Sequence, residues 1–179
     1  MKKIVWTFGT ISGVILSAMM TANVSLTDQI GFDRGTIIGY TSMVLSFLLI
    51  YFGVRSYRDS VTGGTVRFGR ALQVGALIAL VASGWYVATW QVVSRTMTPD
   101  FMEKYQAHIM EKARADGETD AELAKRQADL SKYAEWYKNP AINVAMTFAE
   151  PLPVAVVMAL VTAGVLSRRV KDGGDVQAI

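Results

Sequence analysis

Four long apolar runs organise the chain, and charge is concentrated between them. Ile4 to Thr27 carries no charge, and neither do Gly35 to Val54 and Ala71 to Val93. The fourth run, Pro140 to Ser167, carries a single one, Glu150. Each run reaches the roughly 20 residues that a helix needs to cross a bilayer. None shows the polar face that a helix of a soluble bundle requires. A helix also satisfies its backbone hydrogen bonds internally, which lipid demands. The pattern therefore predicts an all-α polytopic membrane protein. Its four transmembrane helices lie near 4–27, 35–54, 69–93 and 140–167, the first three within residues 1–94. The first run begins with basic residues, but it is longer than a usual signal core and no A-x-A site follows it, so it is read as a retained span.

Residues 95–139 have the only soluble-looking pattern. Thr98-Pro99 has the form of a cap followed by proline at the first helical position. Phe101, Tyr105 and Ile109 recur every four residues, and Gly117 is a natural stop. Thr119 and Glu122 have capping-box spacing. Leu123, Gln127, Leu130, Ala134 and Tyr137 follow at helical spacing. The expectation is an amphipathic, extracytoplasmic helical hairpin with its tip at Ala115–Glu118. Its outer charges interleave, with i,i+4 pairs such as Glu122 with Arg126. Asn139-Pro140 then caps the last span. The lone histidine, His108, sits beside Ile109 and is read as a boundary residue, although its type is suited to pH sensing.

Basic residues set an expected orientation. Lys2, Lys3, Arg55, Arg58, Arg67, Arg70, Arg168, Arg169 and Lys171 share one side with only Asp59, Asp172 and Asp175. On the other side the Arg95–Lys138 segment holds eight basic and nine acidic residues. Positive-inside then places both termini, the Arg55–Arg70 loop and the 168–179 tail in the cytoplasm. The excess of cations is a topology signal. Nucleic-acid binding would need them on one folded face with stacking aromatics, and no such module is present. Trp6, the Tyr51/Phe52/Tyr57 group, and Trp85, Tyr86 and Trp90 are read as interfacial aromatic belts, with Trp136 and Tyr137 level with the outer one. Gly9, Gly13 and Ser17 form a small-residue stripe, read as packing within the bundle ahead of homodimerisation. With no cysteine and one histidine, disulfides, iron–sulfur clusters and thiol catalysis are excluded. No cofactor and no metal set are expected.

Glu150 is the candidate for chemistry. It lies nine steps beyond Ala141, about 13 Å at about 1.5 Å per residue, near the middle of a core about 30 Å thick. An ionisable group at that depth is expensive and reads as functional by default. Pro151 and Pro153 follow it and remove the donors that would reach the carbonyls of Thr147 and Ala149. The expected result is a kink, or two half-helices meeting at Glu150. Asn143, Thr147 and Glu150 share one face, which should point into the bundle. An apolar setting favours the neutral acid, while the start of a second half-helix favours the anion. Three readings stay open: a protonated acid bonded to a neighbouring span, a proton or cation site, and a contact to a lipid or ligand head group. Transporters use similar broken helices, but usually in pairs, and the first three spans here contain no proline.

Several stretches together resemble a known family: Ile38-Gly39-Tyr40-Thr41-Ser42-Met43, Tyr51-Phe52-Gly53-Val54-Arg55-Ser56-Tyr57-Arg58-Asp59, Phe68-Gly69-Arg70-Ala71, Pro99-Asp100-Phe101 and Tyr137-Lys138-Asn139-Pro140. The chain is similar, over roughly residues 1 to 170, to a bacterial family of small four-span membrane proteins. That family is catalogued only as a domain of unknown function and was first seen in Bacteroidetes. Its members carry an acid followed three residues later by proline in the last span, here Glu150 and Pro153; Pro151 is a departure. The resemblance implies the fold and a bacterial cytoplasmic membrane, and no reaction.

The first functional expectation is a non-enzymatic inner-membrane protein that binds a protein partner, or its own copies, through the hairpin. The alternative is a small proton- or ion-coupled transporter or channel using Glu150 with Asn143 and Thr147. An enzyme acting on lipid head groups is the weakest reading, since the residues for a nucleophile–base pair or metal cluster are missing.

Overall fold

Every element of the fold is a helix, and the computed structural model describes residues 1–167. In chain order these are α1 (Lys2–Ile30), α2 (Phe32–Val61), α3 (Phe68–Thr96), α4 (Phe101–Ala115), α5 (Asp120–Lys138), α6 (Pro140–Ala149) and α7 (Leu152–Leu166). Four helices are long and apolar enough to cross a membrane: α1, α2, α3, and α6 with α7 taken together. The cations Arg168, Arg169 and Lys171, and the tail expected to follow span four, lie outside the described residues.

The first three helices overrun their apolar runs. At 29, 30 and 29 residues each is about 44 Å long, enough for the hydrocarbon core plus the head-group layers. The polar stretch Ser25–Arg34 is helical except for Gly31. Ser25 and Thr27 donate back to the carbonyls of Thr21 and Asn23, so their hydroxyls follow the helix instead of breaking it. Gly31 alone reverses the chain, at φ 78°, a conformation that suits glycine.

The small-residue stripe of α1 seats α3. A Cβ on Gly13 would lie 2.6 Å from Trp85 Cβ, and one on Gly9 would lie 2.7 Å from Val81 Cβ. Ser17 Oγ accepts from Thr89 Oγ1 at 3.0 Å. The close approach is therefore within the chain, as read from the sequence. The core between α1, α2, α3 and α7 holds Leu16, Phe47, Ile50, Val54, Val74 and Ile78, all buried. Ser12 Oγ joins α1 to α2 through the Ser46 carbonyl at 2.7 Å.

Between α3 and α6, helices α4 and α5 pack on each other across a turn at Gly117, φ 81°. The capping box of Thr119 and Glu122 is present. Two local expectations fail. The N-cap of α4 is Asp100, with Thr98 and Pro99 in the turn before it. Arg126 pairs with Glu118 and not with Glu122, because Glu122 is engaged by the Thr119 backbone and hydroxyl. Leu123, Leu130, Tyr133, Ala134 and Tyr137 of α5 are half-buried, whereas Gln127 is exposed.

Candidate functional site

Proline shapes the site by dividing span four. Glu150 and Pro151 separate α6 from α7, yet both keep right-handed helical dihedrals, at φ −60°, ψ −51° and φ −77°, ψ −12°. The break is therefore a kink, and the backbone is not unwound. Below it, α7 packs on α2 and α3; above it, α6 packs on α3 and α5. Space is left between α2 and α6.

That space is a cavity of about 310 Å³ reaching from Glu150 to the α1–α2 turn, with Phe101, Met102 and Tyr105 of α4 and Tyr133 and Tyr137 of α5 over it. Gly35 and Gly39 line its α2 side. A Cβ on either would meet only the Asn23 amide, at 3.6 Å. These glycines leave room and do not bring two helices together, unlike those of α1.

Glu150 lines the cavity and is accessible. Its Oε2 accepts a hydrogen bond from Tyr86 Oη at 2.9 Å. Thr147, one turn away, is buried and also lines the cavity. Asn143 is buried but faces α3 instead: its Oδ1 accepts from Gln91 Nε2 at 2.7 Å and its Nδ2 donates to the Tyr137 carbonyl at 3.4 Å. The shared face of α6 is thus real, but only Thr147 and Glu150 border the open space. Pro151 is buried at the kink and Pro153 is exposed.

The other partners come from residues that the sequence placed at the membrane interface. Tyr86 and Trp90 are buried, while Trp85 is exposed. Trp90 Nε1 donates to Tyr137 Oη at 2.5 Å. Their signal was periodicity. Ala79, Ala82, Ser83, Tyr86, Trp90 and Val93 continue the buried face of α3, and aromatic type alone does not distinguish an inward ring from a belt ring. Burial pushes the phenols of Tyr133 and Tyr137 above the ordinary 10.0, so both remain neutral hydrogen-bonding groups across the physiological range. Asn23 donates to the Gly35 carbonyl at 2.9 Å, and its Oδ1 has no protein partner.

Over the α1–α2 turn, α4 is held by charge and stacking. Lys104 Nζ lies 3.1 Å from Asp28 and Lys112 Nζ 3.2 Å from Asp33. The His108 ring stacks on Phe32 at 5.2 Å, with Nε2 3.3 Å from Asp33. The histidine is thus a boundary residue with a defined partner. Among the described residues no cluster of His, Cys, Asp and Glu has the form of a metal site.

No curated protein and no solved structure matches the chain. A family model does: the one described as "Protein of unknown function (DUF4199)" matches residues 7–168, from within α1 to beyond the end of α7. With its four apolar helices long enough to cross a membrane, the chain belongs to the DUF4199 family.

Proposed function

We propose that this is a bacterial inner-membrane protein that acts through the Glu150 cavity as a small proton- or ion-coupled carrier, without enzymatic activity. The supporting observation is one arrangement: a mid-span carboxyl at a proline kink, bonded to Tyr86 and bordering open space of about 310 Å³. An ionisable residue inside a membrane is retained where it lies on an ion or substrate path. The distribution of basic residues supports cytoplasmic termini. In that orientation the α4–α5 pair and the α1–α2 turn lie outside, and the cavity runs from the outer interface towards the bilayer centre. With no cysteine, and with its single histidine on α4, the chain offers little for a nucleophilic or metal-assisted reaction.

The test is proton and ion flux in liposomes reconstituted with the wild type or Glu150→Gln. Flux in the wild type that falls to the empty-liposome rate in the variant is expected. Equal flux in both would end the carrier reading.

A second reading has its own support. No residue of α5 is fully buried, and a groove of about 600 Å³ beside it is lined by Glu118, Glu122, Lys125, Arg126 and Asp129 together with Tyr105, Leu130 and Tyr133. A charged, exposed helix of this kind suits a protein partner or a second copy of the chain. Crosslinking in native membranes followed by mass spectrometry tests it. A partner crosslinked through Lys125 or Lys132 and lost on deleting residues 101–138 is the supporting result.

A further inference from the structure

We infer that the Glu150 cavity binds an organic monocation, with Glu150 as its counter-ion and aromatic rings as its walls. This deepens the carrier reading and rests on the same site. Charge is the first argument. Glu150 is the only charged side chain among the described residues lining the cavity, so an anion would meet no positive partner there. A single cation would cancel the carboxylate, and pairing is what makes a charge tolerable at that depth.

The walls decide which kind of cation. A calcium ion takes six to eight oxygen ligands, and magnesium holds its waters tightly. Here the walls are mostly rings and thioethers, including Tyr40, Tyr86, Trp90 and Tyr137, with Met20, Met43 and Met146. Such surfaces replace the hydration of a small inorganic ion poorly. They suit a cation whose charge is spread over methyl or methylene groups, which aromatic faces attract through their quadrupole. Size agrees. At about 310 Å³ the space lies at the lower end of the range for small-molecule sites, about 300–1,000 Å³. Its α1 lining runs from Leu16 to Thr27, about 16 Å at about 1.5 Å per residue, which admits a slender ligand end-on. A cation that binds at Glu150 would displace the proton from the carboxyl whenever it carries one, so binding and proton movement share one carboxyl.

The experiment is calorimetric titration of the full chain in detergent micelles with three probes. These are tetraethylammonium, choline, and 3,3-dimethylbutan-1-ol, the uncharged carbon analogue of choline. The wild type should bind at least one of the two cations and prefer choline to its neutral analogue. Glu150→Gln should weaken cation binding on the order of tenfold or more, because it removes one partner of a buried charge pair. Gly39→Leu should abolish it by filling the cavity, since the helical backbone at Gly39 accepts a side chain without a close clash. If Glu150→Gln proves unstable, the charged and uncharged probes on the wild type, together with Gly39→Leu, decide the matter. A wild type that binds none of the probes, or takes the neutral analogue as tightly as choline, overturns the inference; so does unchanged cation affinity in a folded Glu150→Gln. The two readings fail separately. Proton flux that depends on Glu150 without cation binding removes the ligand class alone, whereas cation binding without flux removes carriage and leaves the site.

Discussion

Tyr86 and Glu150 are 64 positions apart in sequence, and the Tyr86 hydroxyl donates to Glu150 Oε2 at 2.9 Å. The bond joins α3 to the kink of span four, one turn from where Trp90 meets Tyr137. It fixes the orientation of the carboxyl at the edge of the cavity. Tyr86→Phe removes the donor and keeps the ring. Hydrogen bonds between membrane helices average about 0.6 kcal/mol and reach about 1.7 kcal/mol, so a loss of about 1 kcal/mol is expected. Denaturation in mixed micelles would measure it, and Tyr86→Phe with Glu150→Gln should cost less than the sum of the two alone.

The fit of α1 on α3 is steric, and Gly13 is its tightest point. Its missing Cβ would lie 2.6 Å from Trp85 Cβ and 2.9 Å from two atoms of the indole. Gly13→Leu should therefore separate α1 from α3 and lower stability by about 3 kcal/mol or more, at the upper end of overpacking costs. Gly84, where an added Cβ would meet no other part of the protein within 4 Å beyond its own helix backbone and chain neighbours, is the control. Gly84→Ala should be neutral or slightly stabilising, because alanine favours the helix by up to about 1 kcal/mol. Equal losses at the two sites would show that the stripe on α1 is not a packing surface.

Pro151 and Pro153 are expected to hold the cavity open. Replacing both with alanine restores two backbone donors and removes two ring clashes, which should straighten span four and bring α6 towards α2. Paired spin labels at Thr36 and Val144 would report a shorter separation in the double variant. The same distance distribution in both proteins would assign the kink to packing by α3 and α5 instead.

The capping box responds to pH. Bonds from the Thr119 backbone and hydroxyl to Glu122 hold its carboxyl below the ordinary 4.5. A carboxyl with a lower folded than unfolded value stabilises the folded form in full above the unfolded value, and the contribution disappears as pH falls through the folded one. The first turn of α5 should therefore lose hydrogen-exchange protection below about pH 4.5 and keep it at neutral pH. Glu122→Gln, which is uncharged throughout, should abolish that pH dependence.

Salt should loosen the roof of the cavity before the bundle. The Lys104–Asp28 and Lys112–Asp33 pairs are exposed. Such pairs hold weakly and are screened as the Debye length falls to about 3 Å at 1 M salt. Exchange in α4 should rise with salt while that of α3 stays constant. If α4 is unaffected, its hold comes from the Phe32, Phe101 and Tyr105 rings, whose centroids lie about 6 Å apart.

Sequence alone determined the four spans, the two short helices between the third and the fourth, and the isolation of Glu150 among apolar residues beside two prolines. These are local properties: an uncharged run long enough to cross lipid, a capping box, a missing backbone donor. The tertiary structure decided which polar groups meet. Asn143, Thr147 and Glu150 share a helix face, but only the last two border the open space, while Asn143 is held by Gln91. Tyr86 and Trp90 read as membrane-belt residues because an aromatic side chain suits an interface and a buried polar contact equally well. Only the packing of α3 against α5 and α6 selects between them. The cavity was the least legible feature, since empty space has no residue of its own. It arises where Gly35 and Gly39 remove side chains from α2, where proline bends α6 away, and where α4 and α5 lie across the gap.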